Sequence, residues 1–351
     1  MNRFNRGQMA TIRDVARLAN VSVATVSNVL NTADRVRPEL AARVRAAMET
    51  LSYIPHAGAR SLRGRSSGLL GLVVGDITNP FFSELFEAVE NAAAALGYLV
   101  LLCNSSERSE REEAHLRMLR TQRIDGLILA STGAPSMNRA SLLAQLEVPV
   151  VLVDRAMEGL GYDAVLLDNR RAGLEATRHL IECGHRRIAL VNGPEVLRTA
   201  ADRLSGYREA LLAAGLPFDP QLVRDAGFRA EPATAALGEL LDVPDPPSAV
   251  LSANSLMTIG VMKALADRGL SCPRDMSVAG IDDLPWANAV SPGLTVMAQP
   301  VRQMGEAALA LLAGRIAGSL AGPGTATVMP PRLIVRRSCG VLASGAIDHA
   351  D

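Results

Sequence analysis

From residue 68 onward, short apolar runs alternate with amphipathic stretches, and the whole series occurs twice. LLGLVVG, YLVLLC, IDGLILA and PVVLVD are apolar on successive residues, the pattern of strands covered on both faces. Helical spacing fills the intervals near 80–96, 109–122 and 136–147. DAVLLD, RIALVN, SAVLSA and MSVAGI repeat the theme, with helices near 170–183, 200–214 and 255–268. Strand–helix–strand units of this kind build parallel sheets, so the expected body is α/β, with two doubly wound parallel-sheet lobes in tandem. Paired lobes of this kind enclose a cleft, and ligands in such sheets lie beyond the carboxyl ends of the strands.

Polar and aromatic groups cluster at those exits: Asp76 to Phe82 (DITNPFF), Asp154, Arg203 at the start of a helix, Phe228, Asn254 (SANSLM), and Asp282 with Asp283 and Trp286 (GIDDLPW). Any one of them could be a helix cap. Their recurrence across both lobes points to a cleft that grips a polyhydroxylated or heterocyclic small molecule through carboxylate, amide and guanidinium groups against an aromatic plate.

The first 66 residues have a different texture. TIRDVARLANVSVATVSNVLN places Ile12, Val15, Ala16 and Ala19 on one stripe of a short helix. Asn20 suits a left-handed turn, and Ser22 can cap a second helix. Val26, Val29 and Leu30 then face inward, while Val23, Ala24, Ser27 and Asn28 project outward, as a recognition helix meets base edges in the major groove. Pro38 with Leu40, Val44, Ala47, Met48 and Leu51 signals a third helix. An ordinary helical hairpin is the alternative reading of this pattern. Eleven arginines stand against four acidic residues here, so an all-α head with seven excess positive charges rides on a body with seven excess negative ones. A polyanion partner for the head follows, or else a merely solvated basic surface.

Apolar residues make up 48% of the chain, yet no apolar run is long enough to span a bilayer, and the N-terminus carries no export pattern. A soluble cytoplasmic protein without membrane association is expected. Cys103, Cys183, Cys272 and Cys339 are scattered without a C-x-x-C pair, so core thiols rather than metal ligands are expected, and no metal or cofactor. GRSSG formally matches a nucleophile elbow, but it precedes a strand instead of following one. Phosphate loops and G-x-G-x-x-G are absent, so an enzyme is not expected.

The order of the helix-turn-helix, YIPHAGARSLRGRSSGLLGLVVGDITNPFFSEL, IDGLILA, VDRA, LDNRRAG, HLIECGHRRIALVNGP, DRLSGYREAL, SANSLM and MSVAGIDDLPWANAVSPGLTVMAQP resembles the lactose-repressor (LacI/GalR) family of bacterial transcription regulators, from about Ala10 to Gly340. The resemblance implies a sequence-specific regulator, most often a repressor, with a body like a periplasmic binding protein. It further implies a homodimer or larger assembly on a palindromic double-stranded DNA operator, controlled by a small-molecule effector, with carbohydrate favoured. A periplasmic-type solute-binding protein without regulatory role is the alternative. The implied organisation is an extension (1–9), a helix-turn-helix domain (10–54), a hinge (55–67), an effector-binding and dimerisation domain (68–343) and a tail (344–351). Within that domain the N-lobe covers about 68–166 and 300–328, and the C-lobe about 167–299 and 329–343. Residues 1–8 precede the family's usual start and are expected to be disordered or absent from the native product.

Carried over residue by residue, the resemblance assigns DNA contacts to Thr11, Ser22, Val23, Ala24, Ser27, Asn28 and Asn31, and in the hinge to His56, Ala59, Arg60, Leu62 and Arg63. Effector contacts map to Phe81, Phe82, Asp154, Arg203, Phe228, Asn254, Asp282 and Gln299. The hinge is expected to be a linker in solution and a helix on DNA, with Leu62 as a minor-groove wedge and Arg60, Arg63 and Arg65 as phosphate clamps. Departures from the family pattern matter too. Gly58 stands where relatives usually have Leu or Val and should weaken the hinge helix by about 1 kcal/mol. Arg37 replaces the usual Ser cap before Pro38, and Asn28 replaces an Arg, which favours adenine over guanine. Ser255 replaces a common Asp and Ala201 an Arg, so the effector's identity does not transfer from relatives.

Overall fold

The computed structural model describes residues 10–31 (Asn31 by its backbone only), 36–53, 66–132, 137–157, 159–283 and 285–340. The chain divides into two compact units, Met1–Ser67 and Gly68–Asp351. The extension 1–8, the hinge residues His56, Gly58, Ala59, Arg60, Leu62, Arg63 and Arg65, and the tail 344–351 lie outside the described residues.

The first unit holds helices α1 (Ile12–Leu18), α2 (Val23–Asn31) and α3 (Pro38–Thr50). A capping box starts α1, with the Thr11 hydroxyl accepting from the Asp14 amide and the Asp14 carboxylate accepting from the Thr11 amide at 3.0 Å. Asn20 turns the chain with φ 49°, in the left-handed region. Ser22 Oγ then accepts from the Thr25 amide at 3.0 Å and caps α2. Arg43 on α3 donates to the carbonyls of Ala19 (2.6 Å) and Asn20 (3.0 Å), fastening the turn to the third helix. Val15, Ala16, Ala19, Val26, Val29, Ala41, Val44, Ala47 and Tyr53 form the core. Leu40, expected on the inward stripe, is only half-buried. Ala41 takes that place, because a helix beginning at Pro38 turns 41, 44, 47 and 48 inward together. Arg37 gives α3 no side-chain cap.

The second unit contains two six-stranded sheets. Strands β1 (Leu69–Val74), β2 (Leu99–Asn104), β3 (Gly126–Leu129), β4 (Val150–Val153), β5 (Asp163–Leu167) and β11 (Ala326–Met329) form the first, in the order β11-β5-β4-β3-β1-β2, all parallel. The second comprises β6 (Ile188–Asn192), β7 (Val223–Asp225), β8 (Ala249–Ser252), β9 (Ser277–Ile281), β10 (Thr295–Ala298) and β12 (Arg332–Ile334), in the order β12-β10-β9-β8-β6-β7. Only β12 runs antiparallel to its neighbour. Both sheets are therefore doubly wound, with central strands buried on both faces. The chain passes between sheets three times: after β5, after β10 and after β11.

Helices α4 (Pro80–Ala95), α5 (Ser109–Gln122), α6 (Met137–Ala144) and α11 (Val301–Ile316) cover the first sheet. The second carries α7 (Asn169–Glu182), α8 (Arg198–Ala213), α9 (Ala230–Leu241) and α10 (Ser255–Asp267). Gly173 on α7 and Gly206 on α8 lie so close to the opposing backbone that a Cβ at either would strike the carbonyl of Arg203 or Arg170. That tight crossing holds the Arg203 side chain beside Asn169 at the start of α7. Among the described residues, no helix is long and apolar enough to cross a membrane.

Candidate functional site

A cavity of about 540 Å³ opens at the carboxyl ends of the strands of both sheets, within the range of small-molecule sites. Phe81, Phe82, Asp154, Arg203, Phe228, Asn254, Asp282 and Gln299 all line it, and so do Asp76, Thr78 and Asn79. Arg203 sits in the second turn of α8 rather than at its start, and it is buried. Trp286 does not supply the aromatic plate: it packs with Ala287, Leu294 and Val296 in a separate cluster, and Asp283 pairs with Arg336 at 2.8 Å. Phenylalanines take that role. Phe81 and Phe82 meet edge-on at 5.0 Å, and Phe228 fills the space left beside Gly193, where any Cβ would collide with its ring.

Three lining residues, Asp154 (φ 66°), Phe228 (φ 59°) and Asp282 (φ 80°), have left-handed backbones at strand exits. Each costs on the order of 1–3 kcal/mol, and such strain gathers at functional sites. Neighbouring bonds hold these residues in place. The Asp154 amide donates to Val165 O and the Asp282 amide to Met297 O, each at 3.0 Å. Asn254 caps α10 through Oδ1, which accepts from the Met257 amide at 2.8 Å, while its Nδ2 donates to Phe228 O at 3.2 Å. Asp282 accepts from the Ser255 amide (3.2 Å) and from Gln299 Nε2 (2.6 Å). Ser255 Oγ donates to Asn79 Oδ1 at 2.8 Å, a buried bond that joins the two lobes across the cavity edge.

The two guanidinium groups inside the cavity differ. Arg155 donates to both Glu107 oxygens (2.7 and 2.9 Å) and to Ser131 O, and lies 5.6 Å from the centre of the Phe228 ring. Burial by itself would lower the Arg155 pKa; the charge and hydrogen bonds of Glu107, together with the charges of Asp154 and Glu112, more than offset this and raise it. Arg203 donates through Nε to Asn169 Oδ1 at 2.8 Å and through Nη1 to the Ala253 carbonyl. Burial pulls its pKa down, opposed by the charges of Asp282 and Asp154. Burial likewise pushes the Asp154 carboxyl up, against Arg155 and Arg203.

Arg155, Glu107 and Thr199 line the cavity without having been singled out from sequence. Arg155 adjoins Asp154 in VDRA, and Glu107 follows YLVLLC, so both lie at strand exits. Thr199 gives no local signal. It is 3% exposed, and its hydroxyl is buried with no hydrogen-bond partner.

In the first unit, Ser22, Val23, Ala24 and Asn28 are exposed at the start and along one face of α2, and Ser27 is half-buried beside them. Thr11 is exposed with its hydroxyl 2.6 Å from Asp14 Oδ2 in the capping box. The Asn31 side chain and the hinge residues fall outside the described residues. Small side chains around an exposed helix start leave the backbone free to enter a groove, and Arg13, Arg17, Arg37, Arg43 and Arg45 are exposed on the same unit.

Residues 11–56 match the family described as bacterial regulatory proteins, lacI family. Residues 67–327 match the periplasmic binding proteins and sugar binding domain of the LacI family. The chain is 35% identical to the HTH-type transcriptional repressor PurR of Vibrio atlanticus, over 88% of this chain and 92% of that one. The structure resembles a Lac repressor dimer bound to operator and the anti-inducer ONPF (TM-score 0.79, 27% identity, 95% of this chain and 100% of that one). It also resembles a transcriptional regulator CelR–cellobiose complex (TM-score 0.71, 33% identity, 94% and 99%).

Proposed function

The chain belongs to the LacI family of bacterial regulatory proteins, and from that premise we propose that two copies bind a palindromic operator while a sugar in the cleft sets their affinity for it. It is a DNA-binding transcriptional regulator and not an enzyme. A solute-binding protein without regulatory role would have no use for the helix-turn-helix unit. The observation that carries the effector reading is the strained, buried cleft at the strand exits, where Arg203 and Thr199 present groups that the protein itself leaves open.

In this reading Ser22, Val23, Ala24, Ser27, Asn28 and Asn31 read bases, with Thr11 at the phosphates. His56, Ala59, Arg60, Leu62 and Arg63 form the hinge that orders on DNA. Eight or so residues cannot hold a helix alone, so pairing with the partner copy and phosphate contact must offset the ordering entropy. Lobe closure would alter the spacing of the paired hinges, coupling cleft to operator. Such a protein works in the cytoplasm.

The test is fluorescence anisotropy on a palindrome from the DNA upstream of the chain's own reading frame, at two salt concentrations. Specific binding that weakens as salt rises is expected. No specific binding, or no salt slope, refutes the regulator reading.

A further inference from the structure

The groups left open in the cavity restrict what can fill it. Leaving aside the exposed residues at its opening, the cavity carries two guanidinium groups, Arg155 and Arg203, against four carboxylates, Asp76, Glu107, Asp154 and Asp282. Arg155 and Glu107 neutralise each other in a two-point pair. That leaves Arg203 with Asp154 and Asp282, both of which act on it electrostatically, Asp154 also lying 3.4 Å from Arg155 Nε. No carboxylate forms an ion pair with Arg203 among the described residues, so its charge is shared between two acids rather than spent on one. An anionic ligand group reaching Arg203 would therefore sit beside two carboxylates in a space poorly screened by water. Arg108 and Arg229 also line the opening, but both are exposed, where solvent screens them.

The hydrogen-bonding inventory points the same way. On the donor side, among the described residues, Arg203 Nη2 makes no hydrogen bond and the Thr199 hydroxyl is buried without a partner. On the acceptor side, among the described residues, the Asp154 carboxylate takes part only in a 3.4 Å ion pair with Arg155 Nε. Gln299 Oε1 is buried and unpartnered, because Nε2 must face Asp282 for their 2.6 Å bond. Such a surface calls for groups that both donate and accept, as hydroxyls do. A phosphate or carboxylate brings acceptors alone and would leave Asp154 and Gln299 unsatisfied. Phe82, Phe228 and Leu197 supply apolar faces for the C–H side of a ring.

Taking the cleft as the effector site, as proposed above, we infer that its ligand is an uncharged, hydroxyl-rich sugar and that phosphorylated or carboxylated sugars are rejected. The test is calorimetric titration of the full-length protein with matched pairs: glucose and glucose 6-phosphate, ribose and ribose 5-phosphate, cellobiose and cellobionate. In whichever pair binds, the neutral member is expected to bind at least tenfold more tightly. Asp154→Asn should shrink that ratio by weakening the neutral sugar and admitting the anion. Thr199→Val, which keeps the shape of the side chain, should weaken the neutral sugar several-fold. An anionic member that binds as tightly as its neutral parent overturns the inference and leaves the effector site standing. Binding of no member by protein that still retards operator DNA overturns the effector reading itself, and this inference with it.

Discussion

Arg155 on the first lobe and Arg203 on the second line one cavity, are both buried, and are held by different partners. Arg155 is matched by Glu107 from a strand exit 48 residues away, and Ser131 O takes a further hydrogen bond. Among the described residues, Arg203 hydrogen-bonds only neutral acceptors, Asn169 Oδ1 and the Ala253 carbonyl, and it lines the cavity. A buried charge whose partner lies within the protein ties the fold together. One that is oriented by neutral acceptors, with its charge balanced by nearby acids and no direct ion pair, keeps hydrogen-bond donors for something that arrives. The same contrast separates two carboxylates. Asp163 is saturated by Arg315 (2.7 and 3.1 Å) and by the Thr325 amide (2.8 Å), whereas among the described residues the Asp154 carboxylate has only a 3.4 Å ion pair with Arg155.

Breaking the matched pair should have the largest effect. Glu107→Gln leaves Arg155 buried beside a neutral amide and should cost about 3 kcal/mol in a urea titration, with the Arg155→Met, Glu107→Gln double variant recovering part of it. Arg203→Met should reverse the pattern. Sugar affinity falls about 100-fold, or about 2.7 kcal/mol, while stability falls less than in Glu107→Gln; calorimetry and urea titration on one preparation check both.

The carboxylates give two smaller effects of opposite sign. The Arg315 hydrogen bonds hold the Asp163 pKa below its ordinary value. Its stabilisation is therefore present above pH 3.8 and lost as pH falls through the lower folded value. Asp163→Asn should cost about 2 kcal/mol at neutral pH, and less in acid. Burial raises the Asp154 pKa, so its contribution is fully present below pH 3.8 and is lost as pH rises through the folded value. Asp154→Asn should then stabilise the ligand-free protein by about 1 kcal/mol at neutral pH, the exchange of stability for function expected at a binding site. Equal pH profiles for the two variants would erase the distinction between them.

Much of the fold and of the cleft is written in the sequence. Continuous apolar runs mark the buried parallel strands, and strand exits are where doubly wound sheets place ligands, so Asp154, Asn254 and Asp282 stand out by position alone, whereas Phe228 follows the short polar strand Val223–Asp225. What sequence does not carry is pairing at a distance. Glu107 and Arg155 meet only because β2 and β4 lie on either side of β1 and β3 in the sheet. Thr199 became visible only when its hydroxyl proved to be buried without a partner. Trp286 misled for the converse reason: it follows a strand exit, but the chain turns there and buries the indole against Ala287 and Leu294 instead of the cavity. Leu40 lost its core place through one residue of helical phase set by Pro38.

If the cleft and the helix-turn-helix unit belong to one switch, Arg203 is where the sugar engages it. The direct measurement is operator affinity by anisotropy, with and without the sugar that binds, for the unaltered protein and for Arg203→Met. A sugar-dependent change in operator affinity of at least fivefold is expected in the former and none in the latter, with both binding DNA equally well in the absence of sugar. Operator affinity indifferent to a sugar that calorimetry shows to be bound would contradict it.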